Sequence, residues 1–119
     1  MNEDFVPFKL AKKLKYKGYP YETTHNYDKL GRICVSLVGE EYPYPCPEIH
    51  QVLKWLRDEK KMNVNVRLLV ENGWYFSIQD YMGVQRYSML QDAKDTDDLY
   101  YSYEGAAIAG ITYCLDNLI

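Results

Sequence analysis

The chain has 119 residues with 14 Lys+Arg against 17 Asp+Glu, a net charge of −3, and 47% hydrophobic content; this predicts one globular domain over residues 1–119 and leaves no room for a second. A chain this long buries roughly two thirds of the surface its unfolded form exposes, so it can hold a core without disulfides or a structural metal. The acidic start lacks a basic and then apolar leader, and no run of about 20 apolar residues follows, so the expectation is a cytoplasmic protein with neither signal peptide nor membrane span.

Residues 1–6 read as a short tail. Pro7 to Lys17 reads as a helix: Pro7 suits the first turn, Leu10, Ala11 and Leu14 share one face, lysines crowd the last turns, and Gly18 supplies a left-handed stop before Pro20. Tyr21–Tyr27 and Arg32–Val38 then form a hairpin around the turn Asp28-Lys-Leu-Gly31. Gly39 to Pro47 is an extended connector, because Pro43, Pro45 and Pro47 remove donors and bias the residues before them away from helix. A second helix starts at Pro47, with Glu48 near its positive end and Ile49, Val52, Leu53 and Leu56 on one face, bordered by Trp55.

Asn63–Val70 and Trp74–Tyr81 flank Glu71-Asn72-Gly73. A plain two-residue loop places the apolar residues of the two strands on opposite faces. A three-residue loop pairs Val70 with Trp74, Leu68 with Phe76 and Val66 with Ile78, makes one face wholly apolar, and requires Gly73 at positive φ. Met82 to Tyr101 reads as loop, with a short edge strand at Val84–Met89. The last helix takes Ser102 as its cap and Glu104 in its first turn, and it places Ala107, Ile108, Ile111, Leu115 and Leu118 on one stripe. Gly105 and Gly110 weaken it by roughly 1 kcal/mol each, which points to close approach of another segment or to stability supplied by docking. Together these elements predict an α+β fold of two layers, an antiparallel sheet of about four strands packed against helices in the order α-ββ-α-ββ-α.

The segments Phe8-Lys-Leu-Ala-Lys-Lys-Leu-Lys-Tyr-Lys-Gly-Tyr, Tyr42-Pro-Tyr-Pro with Val52-Leu-Lys-Trp-Leu-Arg, Gly73-Trp-Tyr-Phe-Ser-Ile, and Ser102-Tyr-Glu-Gly-Ala through Leu118 cover more than half the chain. In these it resembles small uncharacterised proteins of Bacteroidetes genomes, prophages and mobile elements. The resemblance implies a bacterial, cytoplasmic or phage-associated setting and carries over no functional residue.

Two compositional features bear on function. There are 13 tyrosines against 3 phenylalanines, too many for the core alone, and a phenol offers a rigid contact face with a polar tip. Tyr42, Tyr44, Tyr100 and Tyr101 are the interaction candidates. Charge is also uneven: 12 basic and 9 acidic residues lie at or before Arg67, against 2 and 8 beyond it, a field that can steer a partner or orient a weak homodimer. The alternative is an accessory nucleic-acid-binding protein that uses Lys9, Lys12 and Lys13 to track phosphates and Tyr16 to stack.

Chemical motifs are sparse. His25, Cys34, Cys46 and His50 are the residues a zinc site would need, with Cys46 and His50 one helical turn apart, but no zinc-knuckle spacing supports them. Cys46 with His50 also lacks the third group of a nucleophilic triad. Asp92, Asp95, Asp97 and Asp98 fail as a calcium loop, since Leu99 and Tyr100 occupy positions that need a ligand and glycine. The expectation is therefore a non-enzymatic protein-interaction or regulatory module, with no metal and no cofactor.

Overall fold

The computed structural model describes residues 4–35 and 42–119. The end of the expected strand at 36–38 and the start of the connector at 39–41 lie outside the described residues. The chain divides into two compact units, residues 1–49 and 50–119. The class is α+β, and the strands form two three-stranded antiparallel sheets where one sheet of about four was expected, giving the order α-βββ-α-βββ-α.

In the first unit, α1 (Phe8–Tyr16) buries Leu10, Ala11 and Leu14, and Gly18 stops it at φ 81°. The sheet consists of β1 (His25–Tyr27), β2 (Ile33–Val35) and β3 (Tyr44–Pro45) in the order β2-β1-β3. β3 was missed because it lies in the proline-rich connector. Pro45 can join only as an edge, where its missing N–H interrupts no ladder, and it pairs with Asn26 there. Residues 4–6 are no loose tail: Val6 N–H donates to Pro47 O at 3.1 Å, Ile49 N–H to Asp4 O at 2.7 Å, and Val6 is fully buried. Tyr27 Oη donates to Val6 O at 2.8 Å, so the segment is anchored at its apolar side chain and at its carbonyl.

The β1–β2 turn is organised by Asp28. Its Oδ1 accepts the backbone N–H groups of Leu30 and Arg32, both at 2.9 Å, and its Oδ2 meets Arg32 Nε at 2.7 Å. These bonds favour the charged form. The Arg32 backbone N–H, followed by the Arg32 guanidinium and the Leu30 N–H, holds the Asp28 carboxyl below the usual carboxylate range against its burial.

In the second unit, α2 (Ile49–Asp58), whose first residue closes the first unit, buries Val52, Trp55 and Leu56. β4 (Met62–Val70), β5 (Gly73–Asp80) and β6 (Gln85–Ser88) follow, with β5 central. Tyr100 continues the β6 side of β5 through paired bonds with Trp74, N to O at 2.8 and 2.9 Å. The acidic stretch before it forms two single 3-10 turns, Met89–Gln91 and Thr96–Asp98, and its carboxylates cap them: Asp95 accepts Asp97 N–H at 2.8 Å and Asp98 accepts Lys94 N–H at 2.7 Å.

The β4–β5 register corrects the expected hairpin. Val70 pairs with Gly73, Leu68 with Trp74, Val66 with Phe76 and Val64 with Ile78, with the irregularity between Leu68 and Val70. The apolar face does require a bulge. It falls at Leu69 within the strand, leaving a two-residue turn in which Asn72, at φ 56°, takes the left-handed position. Gly73 has no positive φ and is small for another reason: an added Cβ would lie 2.6 Å from Val70 Cγ2 and 2.8 Å from Leu99 Cδ1. Gly73→Ala is thus expected to cost about 1 kcal/mol or more by overpacking, and Asn72→Ala about 1 kcal/mol by left-handed strain. Asn72→Gly should cost nothing. Urea denaturation of the three variants checks this, and a neutral Asn72→Ala would contradict the turn assignment.

α3 (Tyr103–Asn117) begins at Ser102, whose Oγ accepts Gly105 N–H at 3.0 Å. It lies against β4 and β5. Its buried face comprises Ala106, Ala107, Gly110, Ile111, Cys114 and Leu115, whereas Ile108 and Leu118 of the expected stripe are only half-buried. Small residues replace them at the centre because Gly110 seats against Val64 and Phe76.

Candidate functional site

The first unit carries an open groove of about 390 Å³ lined by two short segments, Tyr19 to Thr23 and Tyr42 to Pro45, with Lys15 and Asn26 between them. Each segment contains the triplet Tyr-Pro-Tyr, at 19–21 and 42–44. In the second, only Tyr44 faces elsewhere. Tyr42, Pro43 and Pro45 line the groove, while the Tyr44 ring packs edge-on against Phe8 of α1 at 5.6 Å. Tyr19 and Tyr21 meet edge to face at 5.5 Å, which fixes both rings in one wall, and burial followed by the neighbouring Tyr21 pushes the Tyr19 phenol up to about 12.

The floor is built from hydrogen bonds inside the wall. Asn26 is buried; its Nδ2 donates to Thr23 O at 3.1 Å, and Thr23 Oγ1 lies 2.6 Å from His25 O and 3.1 Å from Asn26 Oδ1. Lys15 Nζ donates to Pro43 O at 3.0 Å, tying α1 to the second wall. Three prolines leave these walls poor in N–H donors, so an incoming chain cannot be held there as an added strand. Ring faces and prolines are what the groove offers.

The expected site residues are thereby sorted. Tyr42 lies in the groove and Tyr44 braces it from behind. Tyr100 and Tyr101 belong to the other unit, where Tyr100 bridges Trp74 and Tyr101 is 88% exposed. Tyr19, Pro20 and Tyr21 were not singled out from the sequence, although the duplicated Tyr-Pro-Tyr triplet is a signal that could have marked them. Of the basic helix, Lys9 and Lys12 are exposed, Lys13 is half-buried, and Tyr16 is 86% exposed. Part of this charge is engaged locally: Lys12 Nζ sits 5.2 Å from the Phe8 ring centre and Lys17 Nζ 5.9 Å from that of Tyr16.

No group of three or more His, Cys, Asp or Glu side chains among the described residues is placed to hold a metal ion. Cys46 precedes α2 instead of sharing a helical turn with His50. Its thiol lies 3.6 Å from Val6 O and is pushed up by burial, the reverse of what an activated nucleophile needs. Burial likewise pushes the Cys114 thiol up to about 12. Among the described residues no helix is long and apolar enough to cross a membrane.

Compared with protein families, curated proteins and solved structures, the chain matches none of them.

Proposed function

We propose that the protein is a non-enzymatic interaction module whose first unit binds an extended, proline-containing segment of a protein partner. The observation that carries this reading is one groove lined by Tyr19, Pro20 and Tyr21 of the first Tyr-Pro-Tyr triplet and by Tyr42 and Pro43 of the second. Extended proline-rich chains are already ordered before binding, need few backbone donors, and pack their rings on aromatic faces, which is what donor-poor walls bearing Tyr19, Tyr21 and Tyr42 supply. The cytoplasmic, phage-associated setting implied by the family resemblance is compatible with such a role.

The alternative is nucleic-acid binding through Lys9, Lys12, Lys13 and Tyr16, favoured by the exposure of Tyr16 beside these lysines. One titration separates the two. Decaproline added to the labelled full chain should shift the resonances of Tyr19, Tyr21 and Tyr42 saturably, and Tyr21→Ala, at an exposed ring, should abolish the shift while leaving the fold intact. An oligothymidine should leave the α1 lysines unperturbed at low and high salt. Salt-sensitive oligothymidine binding that disappears when Lys9, Lys12 and Lys13 are all replaced by Gln, with no response to decaproline, would reverse the assignment.

A further inference from the structure

The second unit holds a separate cleft of about 370 Å³, whose lining includes Phe76 of β5, Tyr87 of β6, Met89, Tyr100, and Tyr113 and Asp116 of α3. That volume is near the lower end of small-molecule sites, about 300–1,000 Å³. Four of its walls are aromatic. Tyr87 and Tyr113 stack at 3.9 Å with planes 14° apart, and Phe76 lies 5.9 and 6.4 Å from their centres. Stacking of this kind holds the rings in place before any ligand arrives.

The Tyr87 ring is also held at its hydroxyl. Tyr87 Oη donates to Asp92 Oδ2 at 2.5 Å. That bond, with burial and then the charges of Asp92, Tyr113 and Tyr100, pushes the Tyr87 phenol up to about 12. Asp116 adds a carboxylate to the lining, and among the described residues no Lys, Arg or His lines the cleft. The unit that holds the cleft, residues 50–119, has 10 acidic against 7 basic residues, a net negative charge that favours cations.

We infer that this cleft is a binding site for an organic ammonium ion, seated on an outward ring face of the stacked Tyr87–Tyr113 pair with Tyr100 and the carboxylate of Asp116 in the same lining. An inorganic cation would seek several carboxylate or carbonyl ligands at once, which the cleft does not gather, whereas an alkylammonium places its spread charge against ring faces while its carbon shell meets Phe76 and Met89. The inference is independent of the groove in the first unit and would survive its failure.

The test titrates the full chain with choline and with its uncharged carbon isostere, 3,3-dimethyl-1-butanol, at constant ionic strength, reading the ring resonances of Tyr87, Tyr100 and Tyr113. Choline should shift them saturably, with the isostere about fivefold to thirtyfold weaker, the contrast a cation–π and carboxylate site provides. Asp116→Asn, at an exposed position, should weaken choline by about fivefold and leave the isostere unchanged. Tyr100→Leu should weaken choline and serves where Tyr113→Leu disturbs the α3 packing. A trimethyllysine peptide in place of choline identifies the source: tighter binding indicates a protein tail, equal binding a free small cation. Equal affinity for choline and the isostere, or no ring shift with choline, would overturn the inference.

Discussion

Gly110→Ala should destabilise the protein by about 1–2 kcal/mol, even though the same change in an exposed helix interior gains about 1 kcal/mol. The reason is steric. A Cβ at this position would lie 2.6 Å from Val64 Cγ1 and 3.2 Å from the Phe76 ring. Val64 has one stiff torsion with which to retreat, Phe76 is buried, and forcing methylenes into such a contact costs about 1–3 kcal/mol. Gly110→Val adds two methyls beyond that Cβ and should lose about 3 kcal/mol or more. Gly105 provides the internal control: its nearest neighbours are Ser102 Oγ at 3.3 Å and Tyr100 at 3.6 Å, so Gly105→Ala should be neutral or stabilising. Combining Gly110→Ala with Val64→Ala should recover part of the loss, a coupling of about 0.5–3 kcal/mol between touching residues. Urea denaturation of the set decides it, and a stabilising Gly110→Ala would mean that α3 does not seat on β4 and β5 at this point.

What the sequence makes legible here is what short-range physics dictates. Leu10, Ala11 and Leu14 share a face by helical geometry alone, and all three are buried; Gly18 needs no tertiary contact to terminate α1, nor Ser102 to cap α3. Elements whose existence depends on a distant partner are harder. β3 is two residues of a proline-rich segment that becomes a strand only because β1 offers an edge to it. The β4–β5 hairpin shows the boundary between these cases. Alternation requires a bulge to bring the apolar residues onto one face, yet alternation is equally satisfied by a bulge at Gly73 or at Leu69. Crowding at Gly73 by Leu99, 26 positions along the chain, is a tertiary fact.

The binding surfaces follow the same division. Tyrosine enrichment marks the protein as one that presents rings, but not which rings meet. Tyr42 and Tyr44 read alike in sequence, and only the pairing of β3 with β1 sends one into the groove and the other against Phe8. Tyr100 and Tyr101 are neighbours in sequence, yet Tyr100 lines an open cleft with Tyr87 and Tyr113 while Tyr101 is exposed outside that lining. The lysines of α1 and its C-cap look like one solvated face until Phe8 and Tyr16 are seen beside Lys12 and Lys17.

Leu14→Ala should produce a larger loss, about 2–5 kcal/mol, because Leu14 is fully buried and its removal leaves a cavity in a small core. That core consists chiefly of Val6, Leu10, Ala11, Leu14, Tyr27, Cys46 and Ile49. A unit of about 50 residues has few kcal/mol to lose at roughly 0.05–0.15 kcal/mol per residue, so the substitution should unfold the region. Hydrogen exchange reads this directly. The amides of Val6, Asp28 and Cys46, bonded to Pro47 O, Arg32 O and His25 O, should lose protection in the variant. Leu30→Ala, at a side chain 77% exposed, should leave them unchanged. Decaproline binding should fall with the folded fraction in Leu14→Ala, whereas Tyr21→Ala should lose binding with protection intact. That contrast separates a groove held in shape by its core from one that recognises through its rings. Unchanged exchange at Cys46 in Leu14→Ala would show that the tyrosine groove does not rest on the core beneath α1.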